Sequence, residues 1–248
     1  MKRITKSANI AFFVPHAGCV HSCSFCNQKQ ISGQIKPLKS EDIIETLSGI
    51  KRETLDPEKT EIAFFGGSFT AIPKKLMLTY LETANQFRDS GIFSGIRIST
   101  RPDAVSDEVL ALLKDYGVTS IELGAQSTDD YVLMKNGRGH TALEIKQASE
   151  RVKKHGFSLG LQMMTGLYKS TVEKDIKTCT DIIALKPDTV RIYPTIVIKD
   201  THLETLYNKG EYTPQTLEEA VDLCSLMLPL FHENNIKVIR LGLHSAGT

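Results

Sequence analysis

Short apolar runs alternate with amphipathic segments along the whole chain. The apolar runs are rich in Ile, Val, Phe and Leu and have few polar interruptions, which is typical of strands buried on both faces of a parallel sheet. Seven runs predict strands at residues 9–14, 60–67, 95–101, 118–126, 158–164, 189–198 and 236–243. The segments between the strands have the spacing of helices with one apolar face.

Capping residues predict where these helices begin and end. The signals are Ser40 as an opening residue, Pro73 in a first turn, Gly117 and Gly156 as stops, the capping boxes Thr141/Glu144 and Thr216/Glu219, and Pro229, which should kink or end the last helix. Strand and helix alternate at intervals of roughly 30–40 residues, the βα pattern of a parallel sheet or barrel. We therefore predict an α/β fold of six βα units followed by a seventh strand.

No Gly/Ser linker or low-complexity segment divides the pattern, so residues 1–248 are predicted to form a single domain. The sequence stops almost directly after the seventh strand, as a globular domain or a C-terminally truncated chain would. A hydrophobic content of 41% is enough for one sizeable core. No apolar stretch reaches the ~18 residues of a membrane span, and the apolar N-terminal segment is too short for a signal peptide. We expect a cytoplasmic protein that does not enter a membrane.

The formal net charge is only +1, and the short start MKRITK is the longest basic run. Composition therefore does not indicate a nucleic-acid surface, although a local basic patch would not change these totals. An odd count of five cysteines argues against a disulfide framework. Cys179 and Cys224 fall in predicted amphipathic helices and are interpreted as small core residues.

The other three cysteines, Cys19, Cys23 and Cys26, follow the first predicted strand with the spacing C-x₃-C-x₂-C. Three sites fit them. A zinc site would add His16 or His21. An electron-transfer cluster would want a fourth cysteine. A 4Fe–4S cluster held by three cysteines would leave one iron open for a small chelating ligand, such as the amino and carboxylate groups of S-adenosylmethionine.

The triplet at this place resembles the signature of the radical S-adenosylmethionine (radical SAM) superfamily, with Phe25 as the aromatic residue before the last cysteine. The resemblance implies a partial (β/α)6 TIM-like barrel of parallel strands with an extra C-terminal strand. It also implies a 4Fe–4S cluster on the three cysteines, S-adenosylmethionine on the open iron, and reductive cleavage to a 5′-deoxyadenosyl radical that abstracts hydrogen from a substrate. A flavodoxin or ferredoxin would supply the electron.

Later strand ends resemble further cofactor-binding elements of that superfamily. Gly66, Gly67 and Ser68 look like the motif that binds the methionine amino group, assisted by Thr70. Ser99 stands where many relatives carry a carboxylate facing the cofactor. Gln126 and Arg138 have the spacing at which relatives hold the cofactor, with the arginine on its carboxylate, and Gln162 is similar to a polar residue on the ribose hydroxyls. Tyr193, Lys199 and Thr201 are expected on the substrate side, and Met163 and Met164 in the core.

The stretch GGSFT…STRPDAVSDEVLALLKDYGVTSIELGAQS resembles the subgroup of the Elongator catalytic subunit and the anaerobic coproporphyrinogen oxidases. The first implies hydrogen abstraction in an Elongator-like enzyme whose substrate the sequence does not identify. A tRNA partner is compatible with that subgroup but is not indicated by the charge. One alternative is a coproporphyrinogen oxidase-like or haem-related protein. Another is a non-catalytic zinc or iron–sulfur module. Arg101 and Asp103 are interpreted as a surface salt pair.

Overall fold

A computed structural model describes residues 8–14, 19, 23–27, 37–50 and 56–242. Its strands are β1 (Ala8–Val14), β2 (Thr60–Gly66), β3 (Gly95–Thr100), β4 (Val118–Gln126), β5 (Ser158–Thr165), β6 (Thr189–Pro194) and β7 (Lys237–Leu241). They form one sheet in which each strand pairs in parallel with the next along the chain. The sheet curls into a half-barrel, which confirms the predicted partial barrel with its seventh strand.

Helices connect the strands on the outside. In the described residues these are α1 (Ser40–Ser48), α2 (Lys74–Arg88), α3 (Asp107–Asp115), α4 (Asp130–Lys135), α5 (Ala142–Lys154), α6 (Val172–Ala184), α7 (His202–Asn208) and α8 (Leu217–Glu233). Both predicted capping boxes are confirmed, at the starts of α5 and α8. None of the helices in the described ranges combines the length and apolar content that crossing a bilayer requires.

One predicted boundary is wrong, and at Pro229 one of the two predicted alternatives is excluded. The strand predicted over residues 189–198 ends at Pro194, because a proline has no N–H for the ladder and the chain then turns toward α7. Pro229 does not end α8, which runs on to Glu233. Met227 and Phe231 are fully buried on either side of that proline, so core packing holds the helix together across it.

The predicted burial on both faces is confirmed for the central strands β3 and β4, but only one face of the sheet is apolar. The residues that pack against the helices are Ile62, Phe64, Ile96, Ile98, Ile121, Leu123, Leu159, Leu161, Val190 and Ile192, all essentially inaccessible to solvent. Alternate positions point to the concave face, where several side chains are charged or polar. The concave face is therefore a lumen suited to polar chemistry.

The prediction that the two isolated cysteines are core residues is confirmed. Cys179 and Cys224 are buried among aliphatic side chains of the main core. Burial raises the pKa of Cys179 to about 12, so its thiol stays protonated and inert. Met163 is fully buried as predicted, while Met164 lies half-buried.

Candidate active site

The three clustered cysteines are free thiols, and all three are half-buried at the carboxyl end of the sheet. Burial raises the pKa of Cys26 to about 12, and the charges that Cys23 and Cys19 would carry add to the effect. The Arg138 guanidinium opposes it. A bound metal centre would supply the further positive charge that holds Cys26 as a thiolate, so the donor set suits a metal cluster.

Arg138 is not a solvated loop charge, because its side chain is buried against the cysteine loop. Its Nη1 donates to Cys23 Sγ at 3.0 Å, and its Nη2 donates to the Gly124 carbonyl at 2.6 Å. Gly137 and Gly139 flank it with φ of 64° and 69°, a left-handed conformation that lets the chain turn on both sides of the arginine. The Nε atom has no hydrogen-bond partner among the described residues.

Gln126 lies beside this guanidinium at the end of β4. Its φ of 68° is a left-handed conformation that is unfavourable for a residue with a side chain, and the register of β4 against β5 shifts at this point. A Cβ atom on Gly124 would stand 3.0 Å from Gln126 Nε2 and 3.3 Å from Arg138 Nη2, so the glycine makes room for both. Gln126 Oε1, like Arg138 Nε, is buried without a partner in the described part of the chain. Strained backbone and unpaired polar atoms together indicate a place prepared for a polar ligand.

The ends of β2 and β3 are tied together by hydroxyl groups. Ser68 Oγ lies 2.8 Å from Thr100 Oγ1 and accepts the Arg101 N–H at 3.1 Å. Thr70 Oγ1 lies 2.6 Å from the same Thr100 hydroxyl and donates to the Ala104 carbonyl at 2.6 Å. In the structure, Ser68 and Thr70 therefore hold the two strand ends in place.

Gly66 and Gly67 directly precede Ser68 in the chain, and so lie next to these hydrogen-bonded hydroxyl groups. Gly66 ends β2 with a φ of 104°, a conformation that only glycine adopts readily, and Gly67 N–H donates to the Val14 carbonyl at 2.9 Å. This bond joins the end of β2 to the end of β1, just before the cysteine loop.

A buried charge network fills the lumen beneath these strand ends, and the sequence analysis missed it. Glu122 is inaccessible to solvent and accepts from Arg191 Nε at 2.7 Å and Arg191 Nη2 at 2.9 Å. Arg97 lies 3.3 Å from Glu122 and 2.7 Å from Glu61. Two carboxylates thus balance two guanidiniums. For Arg97, Glu122 and Arg191, the available signal was a charged residue in the middle of a predicted strand.

Gln162 and Ser99 meet at the top of this network. Gln162 Nε2 donates to Ser99 Oγ at 3.2 Å and to Glu122 Oε2 at 2.9 Å. The structure thus brings together two predicted cofactor residues from different strands, both half-buried and on the concave face.

Comparison with known proteins shows to which family the chain belongs. The model of the radical SAM superfamily matches residues 13–182, and that of the radical SAM C-terminal domain matches residues 187–247. The chain belongs to the radical SAM superfamily. Human Elongator complex protein 3 is 30% identical over 193 residues, 70% of this chain and 35% of that protein. A tRNA uridine(34) acetyltransferase from Methanocaldococcus jannaschii is 34% identical over 131 residues, 52% of this chain and 24% of that protein.

Solved structures show the same fold. Methanocaldococcus infernus Elp3 with an N-terminal deletion superposes with a TM-score of 0.73 at 22% identity, covering 97% of this chain and 61% of that one. Coproporphyrinogen III oxidase from Escherichia coli, described as a radical SAM enzyme, gives 0.62 at 16% identity over 92% and 53%. The chain spans about a third of the length of human Elongator complex protein 3.

Radical SAM membership implies a 4Fe–4S cluster and S-adenosylmethionine, and the described residues can be tested for their fit. No three Cys, His, Asp or Glu side chains among them converge as ligands of a single metal ion, and His16 and His21 lie outside them. A cluster takes each thiolate on a different iron, so its ligands surround a larger volume than one ion needs. The triplet, with buried unpaired polar atoms beside it, fits the two groups.

A second guanidinium, Arg101, stands close to the thiols. Its side chain is only 13% exposed and pairs with Asp103 through two bonds of 2.9 Å. The hydrogen bond to Asp103 raises the pKa of Arg101, and the charges of Cys19 and Cys23 raise it further. The predicted salt pair forms with Asp103 exposed, while Arg101 is partly buried and lies within electrostatic reach of the cysteine loop.

The remaining predicted residues divide into loop anchors and lumen residues. Phe25 packs with Leu203, Leu206 and Tyr212, so it fastens the cysteine loop to α7. Tyr193 is half-buried in the lumen, and burial raises its pKa. Lys199 contacts the described part of the cysteine loop through its carbonyl, which accepts from Asn27 Nδ2 at 3.1 Å, while its side chain is exposed.

Thr201 is expected to line the substrate side, and the structure shows that its side chain also caps a helix. Its Oγ1 donates to the Ile198 carbonyl at 2.6 Å and accepts the Glu204 N–H at 3.1 Å. The side chain is the N-cap of α7, and the place of Thr201 on the substrate side stays a prediction.

Proposed function

We propose that this protein binds a 4Fe–4S cluster through Cys19, Cys23 and Cys26 and uses it to cleave S-adenosylmethionine reductively. The observation that carries the proposal is the position of Arg138, whose guanidinium bonds Cys23 Sγ. Its buried Nε and the nearby buried Gln126 Oε1 have no hydrogen-bond partner among the residues that the structure describes. A planar guanidinium matches a carboxylate through paired bonds, and an amide oxygen accepts from an ammonium group.

When bound, the two groups supply a 5′-deoxyadenosyl radical for hydrogen abstraction. The chain positions them. Arg138 holds the methionine carboxylate, and Gly66 and Gly67 offer a backbone edge to the amino group. Ser99 and Gln162, already bonded to each other at 3.2 Å, face the ribose. Reductive cleavage also requires one electron, which a flavodoxin- or ferredoxin-like donor supplies.

The balanced charges of the lumen support this arrangement. Glu122 and Glu61 pair with Arg97 and Arg191, so these four buried charges balance one another. Gln162 is fixed by Glu122 and is therefore oriented before any ligand arrives. Tyr193, higher on β6, then faces the substrate.

For the substrate, we propose an Elongator-like hydrogen abstraction. The Elongator and tRNA uridine acetyltransferase relatives support it and make tRNA the first substrate to test. The test compares the rate of S-adenosylmethionine cleavage with and without added tRNA. A rate that rises with tRNA and falls when the tRNA is digested supports the proposal. An unchanged rate assigns the enzyme to another substrate.

The cluster is tested by anaerobic reconstitution. The wild-type chain should bind about four irons and absorb broadly in the visible range, and Cys23→Ala should lose both. Cys179→Ala is the matched control, because that thiol lies in the core and should leave the iron content unchanged. Zinc alone in the wild-type site, or a full cluster in Cys23→Ala, would overturn the proposal.

A further inference from the structure

Ser24, between the second and third cysteines, is buried and hydrogen-bonded through its N–H, its hydroxyl and its carbonyl. It is 2% exposed. Its N–H donates to the Asn136 carbonyl at 3.0 Å, its Oγ donates to Asn136 Oδ1 at 2.6 Å, and its carbonyl accepts the Leu203 N–H at 2.7 Å. The middle of the cysteine loop is thus bonded to the end of α4 and to the start of α7.

Asn136 is completely buried, and its side chain joins three segments. Its Oδ1 accepts from Ser24, and its Nδ2 donates to the Val132 carbonyl at 2.8 Å and to the Tyr168 carbonyl at 2.9 Å. With both amide hydrogens used, the orientation of the amide leaves the oxygen as the atom facing Ser24. The residue therefore connects α4, the loop after β5 and the cysteine loop.

The same short segment carries Arg138. Asn136 bonds Ser24, and Arg138, two residues on, bonds the adjacent Cys23. Gly137 between them has a φ of 64°, and Arg138 N–H returns to the Leu133 carbonyl at 3.0 Å. Cys23 and Ser24, neighbours in the cysteine loop, are therefore bonded to Arg138 and Asn136, which belong to a single turn.

We propose that Ser24 and Asn136 are positioning residues that set Cys23 against Arg138 and so determine how tightly the site binds the methionine carboxylate. This inference rests on the proposed function. The cluster fixes the iron relative to Cys23, and the carboxylate has to reach the iron and the guanidinium together. A loop that shifts by a fraction of an ångström loses that geometry without losing the cluster.

The test uses Ser24→Ala, which removes one oxygen and leaves the backbone bonds in place. In the reconstituted protein, iron content should match wild type. Affinity for S-adenosylmethionine, measured by calorimetric titration, should fall about 3- to 10-fold, the effect expected of one intramolecular hydrogen bond. The change that S-adenosylmethionine causes in the electron paramagnetic resonance spectrum of the reduced cluster should shrink in parallel.

Asn85→Ala is the matched control. Asn85 Nδ2 bonds the Tyr116 carbonyl at 2.7 Å on the helical side of the sheet, where a cofactor does not reach. This variant should lose thermal stability with no change in affinity. An equal loss of affinity in Asn85→Ala would reduce the Ser24 effect to general destabilisation and overturn the inference.

Asn136→Ala and the double variant with Ser24→Ala complete a cycle. If the two residues act as one device, the double variant should bind S-adenosylmethionine no more weakly than Asn136→Ala alone. Unchanged affinity in Ser24→Ala, or losses that add in full, would overturn the inference. A wild-type protein that assembles no cluster or binds no S-adenosylmethionine would instead overturn the proposed function, so the two failures are distinct.

Discussion

Replacing Glu122 with glutamine should destabilise the protein strongly, because this carboxylate neutralises two guanidiniums inside the half-barrel. Arg97 keeps its second partner, Glu61 at 2.7 Å. Arg191 is 8% exposed, and Glu122 is the carboxylate that it bonds at 2.7 and 2.9 Å. The cost of Glu122→Gln therefore falls mainly on Arg191.

Removing one partner of a buried ion pair typically costs ~3–5 kcal/mol. For a chain of this size, each 1 kcal/mol lowers the melting temperature by ~2–4 °C, so Glu122→Gln should melt roughly 6–20 °C below wild type. The measurement is urea and thermal unfolding of the apoprotein followed by circular dichroism. Glu150→Gln is the control, since Glu150 is mostly exposed and lies 4.0 Å from Lys146, and it should cost less than ~1 kcal/mol.

Glu122→Gln combined with Arg191→Gln checks the cause. Without the uncompensated charge, the double variant should be more stable than Glu122→Gln alone. The reasoning is refuted if Glu122→Gln lies within ~1 kcal/mol of wild type, or if the double variant loses the sum of the two single losses.

Three further predictions concern the site and its surroundings. Arg138→Ala should keep its iron and bind S-adenosylmethionine ~10- to 150-fold more weakly, with Arg138→Lys restoring only part, and calorimetric binding as tight as wild type would contradict this. Gly124→Ala should also weaken that binding, because its new Cβ displaces Gln126 and Arg138, whereas Gly49→Ala should not. Asp175 has its pKa raised to about 6 by burial, so the folded state keeps a proton that the unfolded state has lost. Wild-type stability should therefore fall by up to ~3 kcal/mol relative to Asp175→Asn between pH 4 and pH 6, and parallel urea-unfolding curves across that range would contradict it.

Most of the fold could be predicted because its signals are local. Each strand is a short apolar run, and the capping boxes at Thr141 and Thr216 form among neighbouring residues, as the structure confirms. Helices α4 and α7 escaped prediction because six or seven residues are too few to establish a helical period. The end of β6 was misplaced because apolar residues continue past Pro194.

The parts of the site that could not be predicted depend on register between distant strands. Glu122 meets Arg191 and Arg97 only because β3, β4 and β6 face one lumen, which no local pattern states. The cap formed by Thr201 was not predicted, because a polar residue shortly after a strand suits a substrate contact as well as a helix cap. Ser24 lay inside the recognised motif but gave no signal, because its partner Asn136 is distant in sequence.

Cleavage of S-adenosylmethionine by the reconstituted, reduced protein tests the central proposal most directly. With dithionite as the electron source and no substrate, wild type should slowly release 5′-deoxyadenosine and methionine, while Cys23→Ala should release neither. A chain that assembles its cluster and binds S-adenosylmethionine but never forms 5′-deoxyadenosine would contradict the proposal.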